Sequence, residues 1–131
     1  MELRYVLIAD DSKVFRACER EVFLDHGFEV LEAENGRQAL DLAVAHQPKL
    51  LFLDALMPHL SGFEVIDKLR EKLPDYHPVI FLTTAVYRSR RWEKEARQQY
   101  GVHEYLEKPL EDEDLIAALR RHFPDLAKIR H

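Results

Sequence analysis

Apolar residues in this chain fall into two rhythms. Short unbroken runs, YVLIA from Tyr5 to Ala9, LLFL from Leu50 to Leu53 and VIFL from Val79 to Leu82, have the pattern of strands buried on both faces. Between them, apolar positions recur at three- and four-residue intervals, which puts one apolar stripe on a helix. The first strand, Tyr5 to Ala9, ends at Asp10-Asp11. Ser12 caps the helix that follows, whose inner stripe is read as Val14, Phe15, Cys18, Val22 and Phe23 and which Gly27 closes. A second strand, Glu29 to Glu32, precedes the turn signal Asn35-Gly36, and a helix from Arg37 to His46 faces inward through Ala39, Leu40, Ala43 and Val44. Pro48 separates it from the central strand, Leu50 to Leu53, which stops abruptly at Asp54.

The second half repeats the alternation. Ser61-Gly62 opens a helix reaching Leu73, with Phe63, Val65, Ile66 and Leu69 for packing; Pro74 and Pro78 bracket a loop. The fourth strand, Val79 to Leu82, ends at Thr83-Thr84, and a charged helix from Ser89 to Tyr100 stops at Gly101. Val102 to Leu106 is a partly polar fifth strand, followed by Glu107-Lys108-Pro109 and a last helix from Asp112 to Phe123. Strands alternating with helices imply a parallel sheet covered on both faces, with right-handed crossovers. The expectation is an α/β, flavodoxin-like doubly wound fold with five strands in the order 2-1-3-4-5 and five helices. Residues 1–125 form one domain in this reading, and 126–131 a short tail.

Composition narrows the classes. With 131 residues and 47% hydrophobic content the chain suits one globular domain. No apolar run approaches the roughly 18 residues of a membrane span, and the first strand ends in two aspartates where a leader would have a small-residue cleavage site. The single cysteine, Cys18, excludes a disulfide framework or thiol metal cluster and reads as a small buried hydrophobe. A cytoplasmic location is expected. The net charge of −5 argues against direct nucleic-acid binding by the domain.

The chemistry lies at the carboxyl ends of the strands, where open parallel sheets bind ligands. The strand order brings Asp10, Asp11 and Asp54 together at the switch point between the first and third strands. Three unpaired carboxylates there would repel one another and resist burial. A hard divalent cation such as Mg²⁺ removes that penalty while keeping room for water and a phosphate oxygen. Lys108 and Thr83-Thr84 arrive from the neighbouring strand ends. An acceptor carboxylate, a metal, a fixed cation and a hydroxyl are the parts phosphoryl transfer needs, and Asp54, alone at the end of the most buried strand, is the best nucleophile.

Over nearly its full length the chain resembles the receiver domains of bacterial two-component response regulators. The matching marks are Asp10-Asp11, Asp54, Met57-Pro58 followed by Gly62, Thr84-Ala85 and Lys108-Pro109. The resemblance implies that Asp54 is phosphorylated by a histidine kinase or histidine phosphotransfer protein. It implies that Asp11, Asp54 and the backbone carbonyl of Leu56 hold Mg²⁺, with Asp10 orienting a bound water. Lys108 would contact the phosphoryl group and Thr84 hydrogen-bond it, and the Lys108–Pro109 peptide would be cis. Of the two threonines, Thr84 takes the switch role, because successive strand side chains point to opposite faces and the family's small residue, here Ala85, follows it. Tyr105 matches the family's switch aromatic. Phosphorylation would then bias the surface of the fourth helix, fifth strand and fifth helix toward an output partner, and the same surface is a candidate for homodimerisation.

Two departures stand out. The segment Tyr87-Arg88-Ser89-Arg90-Arg91-Trp92 makes the fourth helix and its leading loop basic and aromatic, a candidate partner surface. Leu56 and Val86, two residues past Asp54 and two past Thr84, are apolar where a polar residue could orient an attacking water, so slow self-dephosphorylation is expected. His59 lies near the site on the loop after Met57-Pro58 and is read as inert. A Mg²⁺-dependent phosphohydrolase with an aspartyl nucleophile would want a second aspartate where Leu56 stands. A flavodoxin-like cofactor binder would need a phosphate-cradling loop where the two aspartates are. The remaining alternative is a receiver-like interaction module that is never phosphorylated. Nothing after Phe123 resembles an output domain, leaving a stand-alone receiver or a piece of a longer regulator.

Overall fold

A computed structural model describes residues 4–85 and 90–126. In chain order the elements are β1 (Arg4–Ala9), α1 (Lys13–Asp25), β2 (Phe28–Ala33), α2 (Gly36–His46), β3 (Leu50–Asp54), α3 (Gly62–Lys72), β4 (Val79–Thr84), α4 (Arg90–Tyr100), β5 (Glu104–Glu107) and α5 (Asp112–His122). The strands pair in parallel as one sheet of order β2-β1-β3-β4-β5, the doubly wound arrangement the alternation predicts.

Strand parity divides the core into two layers. Val6, Ile8, Leu50, Phe52 and Phe81 pack with Val22, Phe23, Leu115 and Leu119 on the α1/α5 side. Leu7, Ala9, Leu51, Leu53 and Leu82 pack with Leu40, Val65, Ile66 and Leu69 on the α2/α3 side. β3 is buried along its whole length because both neighbours in the sheet and both helical layers cover it. β3 and β4 run past their apolar stretches, because Asp54 pairs with Thr83 and Thr84 with Glu107 in the ladder. β5 starts later than its apolar pattern suggests: the Val102 amide bonds the Ala96 carbonyl at 3.1 Å, which commits Val102 to closing α4.

Local chemistry fixes the helix starts. Ser12 and Asn35 side chains accept from the Phe15 and Gln38 amides, and Ser61 with Glu64 completes a reciprocal capping box. Gly62 is required by space: a Cβ there would stand 2.6 Å from the Asp54 carbonyl oxygen, so only glycine lets α3 begin directly against the end of β3.

The inner face of α1 differs from its predicted stripe. Val14 is 74% exposed and Cys18 is exposed, so Cys18 is not a buried hydrophobe. Glu19 is buried instead, on the same face as Phe15, Val22 and Phe23. Positions 15, 19, 22 and 23 follow a 3.6-residue period, and a carboxylate inside that stripe shifted the phase of the apolar pattern. Among the described residues, no helix is long and apolar enough to cross a membrane.

Candidate phosphoryl-acceptor site

The register that aligns Ala9 with Leu53 carries the next residues of both strands, Asp10 and Asp54, to the same edge of the sheet. Asp10 is 1% exposed and Asp54 7%, while Asp11 faces solvent. One carboxylate oxygen from each of the three lies within 4.8 Å of the others. Asp10 is held by the Ser12 amide at 2.8 Å, and Asp54 by the Leu56 amide at 3.1 Å, in each case the backbone two residues on.

Lys108 enters from the β5–α5 turn. Its Nζ lies 2.5 Å from Asp10 Oδ2 and 3.3 Å from Asp54 Oδ2, and 4.3 Å from the centre of the Phe15 ring. The Lys108–Pro109 peptide is cis, as expected, and the Lys108 amide bonds the Thr84 carbonyl at 2.8 Å, tying the ends of β4 and β5 together. Burial raises the pKa of Asp54; the Leu56 amide and Lys108 oppose this, and the Asp10 charge adds to it. Burial pulls Lys108 down, but its bond to Asp10 and the nearby Asp54 charge outweigh burial and leave it raised. Asp10 and Asp54 thus share one ammonium, with the Asp11 carboxylate beside them. An all-oxygen, partly buried donor set with one solvent-facing acid fits a small hard dication that retains water.

Thr83 and Thr84 are both buried but face opposite sides of the sheet. Thr83 shares the parity of Phe81, and its hydroxyl lies 3.5 Å from the Leu53 carbonyl. Thr84 shares the parity of Leu82, the residue paired with Tyr105. Tyr105 is 3% exposed and packed in the α2/α3-side core, so Thr84 and Tyr105 lie on one face. Leu56 is 57% exposed beside Asp54, Ala85 is exposed at the end of β4, and His59 sits exposed on its loop with a left-handed φ of 71°. Val86 and residues 87–89 lie outside the described residues.

Sequence reasoning missed Arg16, Phe15 and Glu19 around the site, and Glu104 on β5. Arg16 donates to the Asp10 carbonyl at 2.6 Å and pairs with Glu32 at 3.2 Å, bracing the strand end from α1. Phe15, read only as core, also forms the floor under Lys108 and stacks 6.1 Å from Phe52. Glu19 and Glu104 are buried acids at positions where the pattern offered no reason to expect a charge. The partners of Phe15 and Glu104 are far away in sequence, so no local spacing signals them.

The model of the response regulator receiver domain matches residues 6–120. The chain belongs to this family. It is 36% identical over 124 residues to the response regulator MprA of Mycolicibacterium vanbaalenii, an alignment covering 92% of the chain and 52% of MprA, so the receiver spans about half of that relative's length. A region of histidine kinase P4 from Formosa agariphila is 37% identical over 105 residues, covering 79% of the chain and 7% of the kinase. Among solved structures, chemotaxis protein CheY4 of Vibrio cholerae superposes with a TM-score of 0.81 at 29% identity, covering 92% of this chain and 98% of CheY4. The protein is a receiver, a signalling domain of two-component systems, and its acidic cluster occupies the edge where the strand order predicts a ligand. The phosphohydrolase alternative is not favoured.

Proposed function

We propose that this receiver is a phosphoryl-accepting switch whose nucleophile is Asp54. The observation that supports it most is the meeting of Asp54 with Lys108, Asp10 and Asp11 at one partly buried edge. An Asp54 carboxylate oxygen attacks the phosphorus of a phosphohistidine on a kinase or phosphotransfer protein. The new O–P bond forms as the N–P bond to the imidazole breaks, and the imidazole leaves as the neutral base after taking a proton. Asp11, Asp54 and the Leu56 carbonyl, with Asp10 behind them, would hold Mg²⁺, which when bound would supply positive charge against the phosphoryl oxygens. Lys108, already within 3.3 Å of Asp54, neutralises the same oxygens from the protein side. The domain turns over no external metabolite in this reading; it assists only its own phosphorylation and dephosphorylation.

Thr84 donates its hydroxyl to the phosphoryl group and draws the end of β4 toward the site, and Tyr105, on the same face, follows. Beside Tyr105 lies an open cleft of about 630 Å³, lined by Arg97, Glu104, Leu106 and Arg121 from α4, β5 and α5. This is the surface offered to an output partner or a second copy of the chain. The exchange belongs in the cytoplasm, where a kinase draws on ATP.

Intact-mass spectrometry after incubation with Mg²⁺ and acetyl phosphate tests the reading. The expected product carries one acid-stable, base-labile phosphoryl group, lost in Asp54→Asn and without Mg²⁺. Failure to label with both acetyl phosphate and a phosphorylated kinase, Mg²⁺ binding being intact, would make the domain an unphosphorylated interaction module. The exposed apolar side chain of Leu56 gives an attacking water no partner. Leu56→Asn, alone or with Val86→Glu, is expected to shorten the phosphoryl lifetime by roughly tenfold; an unchanged decay of the labelled mass would remove Leu56 and Val86 from that role.

A further inference from the structure

At the end of the sheet opposite Asp54, a cavity of about 250 Å³ opens between α3, the start of β4 and the α4–β5 turn. Its floor is Leu51, Ile66, Leu69 and Ile80, none more than 5% exposed. Its polar lining comes from Arg70, Tyr76, His77 and His103, and among the described residues no carboxylate lines it.

The donors are fixed by the backbone around them. Arg70 Nη2 donates to the Tyr100 carbonyl at the end of α4. Gly101, at φ +66°, leaves room for this: a Cβ there would stand 2.8 Å from that nitrogen. The guanidinium keeps further N–H donors in the same plane. His103 Nδ1 accepts the Ile80 amide at 3.0 Å, which places the proton of the neutral ring on Nε2. Burial, His122 and Arg70 hold this ring below the usual histidine range, while Glu104 pulls the other way. Tyr76 directs its hydroxyl to the Pro48 carbonyl and presents its ring to the cavity.

An apolar floor with donors and no acid at the rim has the complementarity of a small amphipathic anion. We propose that this cavity binds a carboxylate the size of benzoate, its ring on Leu51, Ile66, Leu69 and Ile80 and its charge at Arg70 and His103. Such a ligand bridges α3 to the start of β5, the strand that carries Tyr105. Where phosphorylation changes the arrangement of β5 that the ligand holds, linkage makes each event shift the other by the same factor. That coupling rests on the phosphoryl-switch reading; the binding itself does not.

Binding is therefore tested on the unphosphorylated full chain, titrated with benzoate and followed through backbone amide NMR signals. The expected result is saturable shifts centred on Ile80, Gly101 and His103, with a Kd in the millimolar range or below. Benzamide, of the same shape without the charge, and the Arg70→Leu variant are each expected to bind about tenfold more weakly. Arg70 is exposed at the end of α3, so its replacement leaves the core intact, and the benzamide comparison needs no variant at all. No saturation by about 30 mM, or equal affinity for benzoate and benzamide, would overturn the proposal. So would shifts confined to the acidic edge. Failure of acetyl phosphate labelling would leave this titration unaffected, so the two readings fail separately.

Discussion

The carboxyl edge of the sheet and the outer side of β5 both hold a buried acid, and the two are built in opposite senses. Around Asp54, two carboxylates, its own and that of Asp10, share one ammonium, and a third, Asp11, lies beside them. On β5, Glu104 meets two side-chain donors: its Oε1 lies 2.7 Å from Arg121 Nη2, and its Oε2 lies 3.2 Å from Arg121 Nε and 2.7 Å from His122 Nε2. Burial raises the pKa of both acids. At Asp54 burial wins, whereas at Glu104 the bonds from Arg121 and His122 win and the pKa falls. The direction of the shift separates a group kept short of positive charge from one that ties β5 to α5.

Glu19 carries the charge-starved condition furthest. Its Oε2 is buried with no hydrogen-bond partner, and burial, with repulsion from Asp112 and Asp10 outweighing attraction by Lys108, lifts its pKa from 4.5 to about 7. The folded chain therefore keeps a proton that the unfolded chain has shed. The stability this contributes is fully present below about pH 4.5 and is lost as pH rises through about 7. Glu19→Gln, fixed in the neutral form, is expected to stabilise the fold by roughly 2–3 kcal/mol at about pH 8 and by almost nothing near pH 4. Urea unfolding at the two pH values measures this, and a pH-independent difference would remove the proton from the account.

Glu104→Gln should act in the reverse sense. The lowered pKa makes its contribution present above the unfolded carboxyl value and lost as pH falls through the folded one. Because the Arg121 side chain is 55% exposed and screened, the expected loss near pH 7 is about 1–2 kcal/mol, vanishing in acid. Thermal unfolding of the variant across pH checks both the size and the sign.

The smallest of these effects decides the comparison. With its pKa raised, charged Asp54 is disfavoured in the fold, so Asp54→Asn should melt slightly higher than the natural chain near pH 7 without Mg²⁺. Saturating Mg²⁺ should reverse that order, since a ligand stabilises the form that binds it more tightly. If Asn lowers the melting temperature in both conditions, Asp54 belongs with Glu104 as a structural acid.

How much of this was legible follows from where each partner lies. The strands, their order and the edge residues Asp10, Asp11, Asp54 and Lys108 were readable because each is announced locally, by an apolar run ending in a polar residue. The alternation of β4 set Thr83 and Thr84 on opposite faces, and the preference for Thr84 came from the resemblance, in which a small residue, here Ala85, follows the switch threonine. The face of α1 was misread because Glu19 breaks the apolar stripe and the eye moves to Val14 and Cys18, which are exposed. The tie on β5 was invisible because Glu104 meets Arg121 and His122 only after α5 folds back along the sheet. Buried polar groups with distant partners have no periodic signature.

The sequence contains a single tryptophan, and Trp92 sits 49% exposed near the start of α4. Its intrinsic fluorescence is therefore a one-site optical probe, without any label, of the helix that the proposed switch would move. A change in emission wavelength or quenching on adding Mg²⁺ and a phosphoryl donor would report the environment of α4 and not a global average. The kinetics of that signal, set beside the mass-spectrometric appearance of the phosphoryl group, would tell whether the helix responds in step with the chemistry or after it.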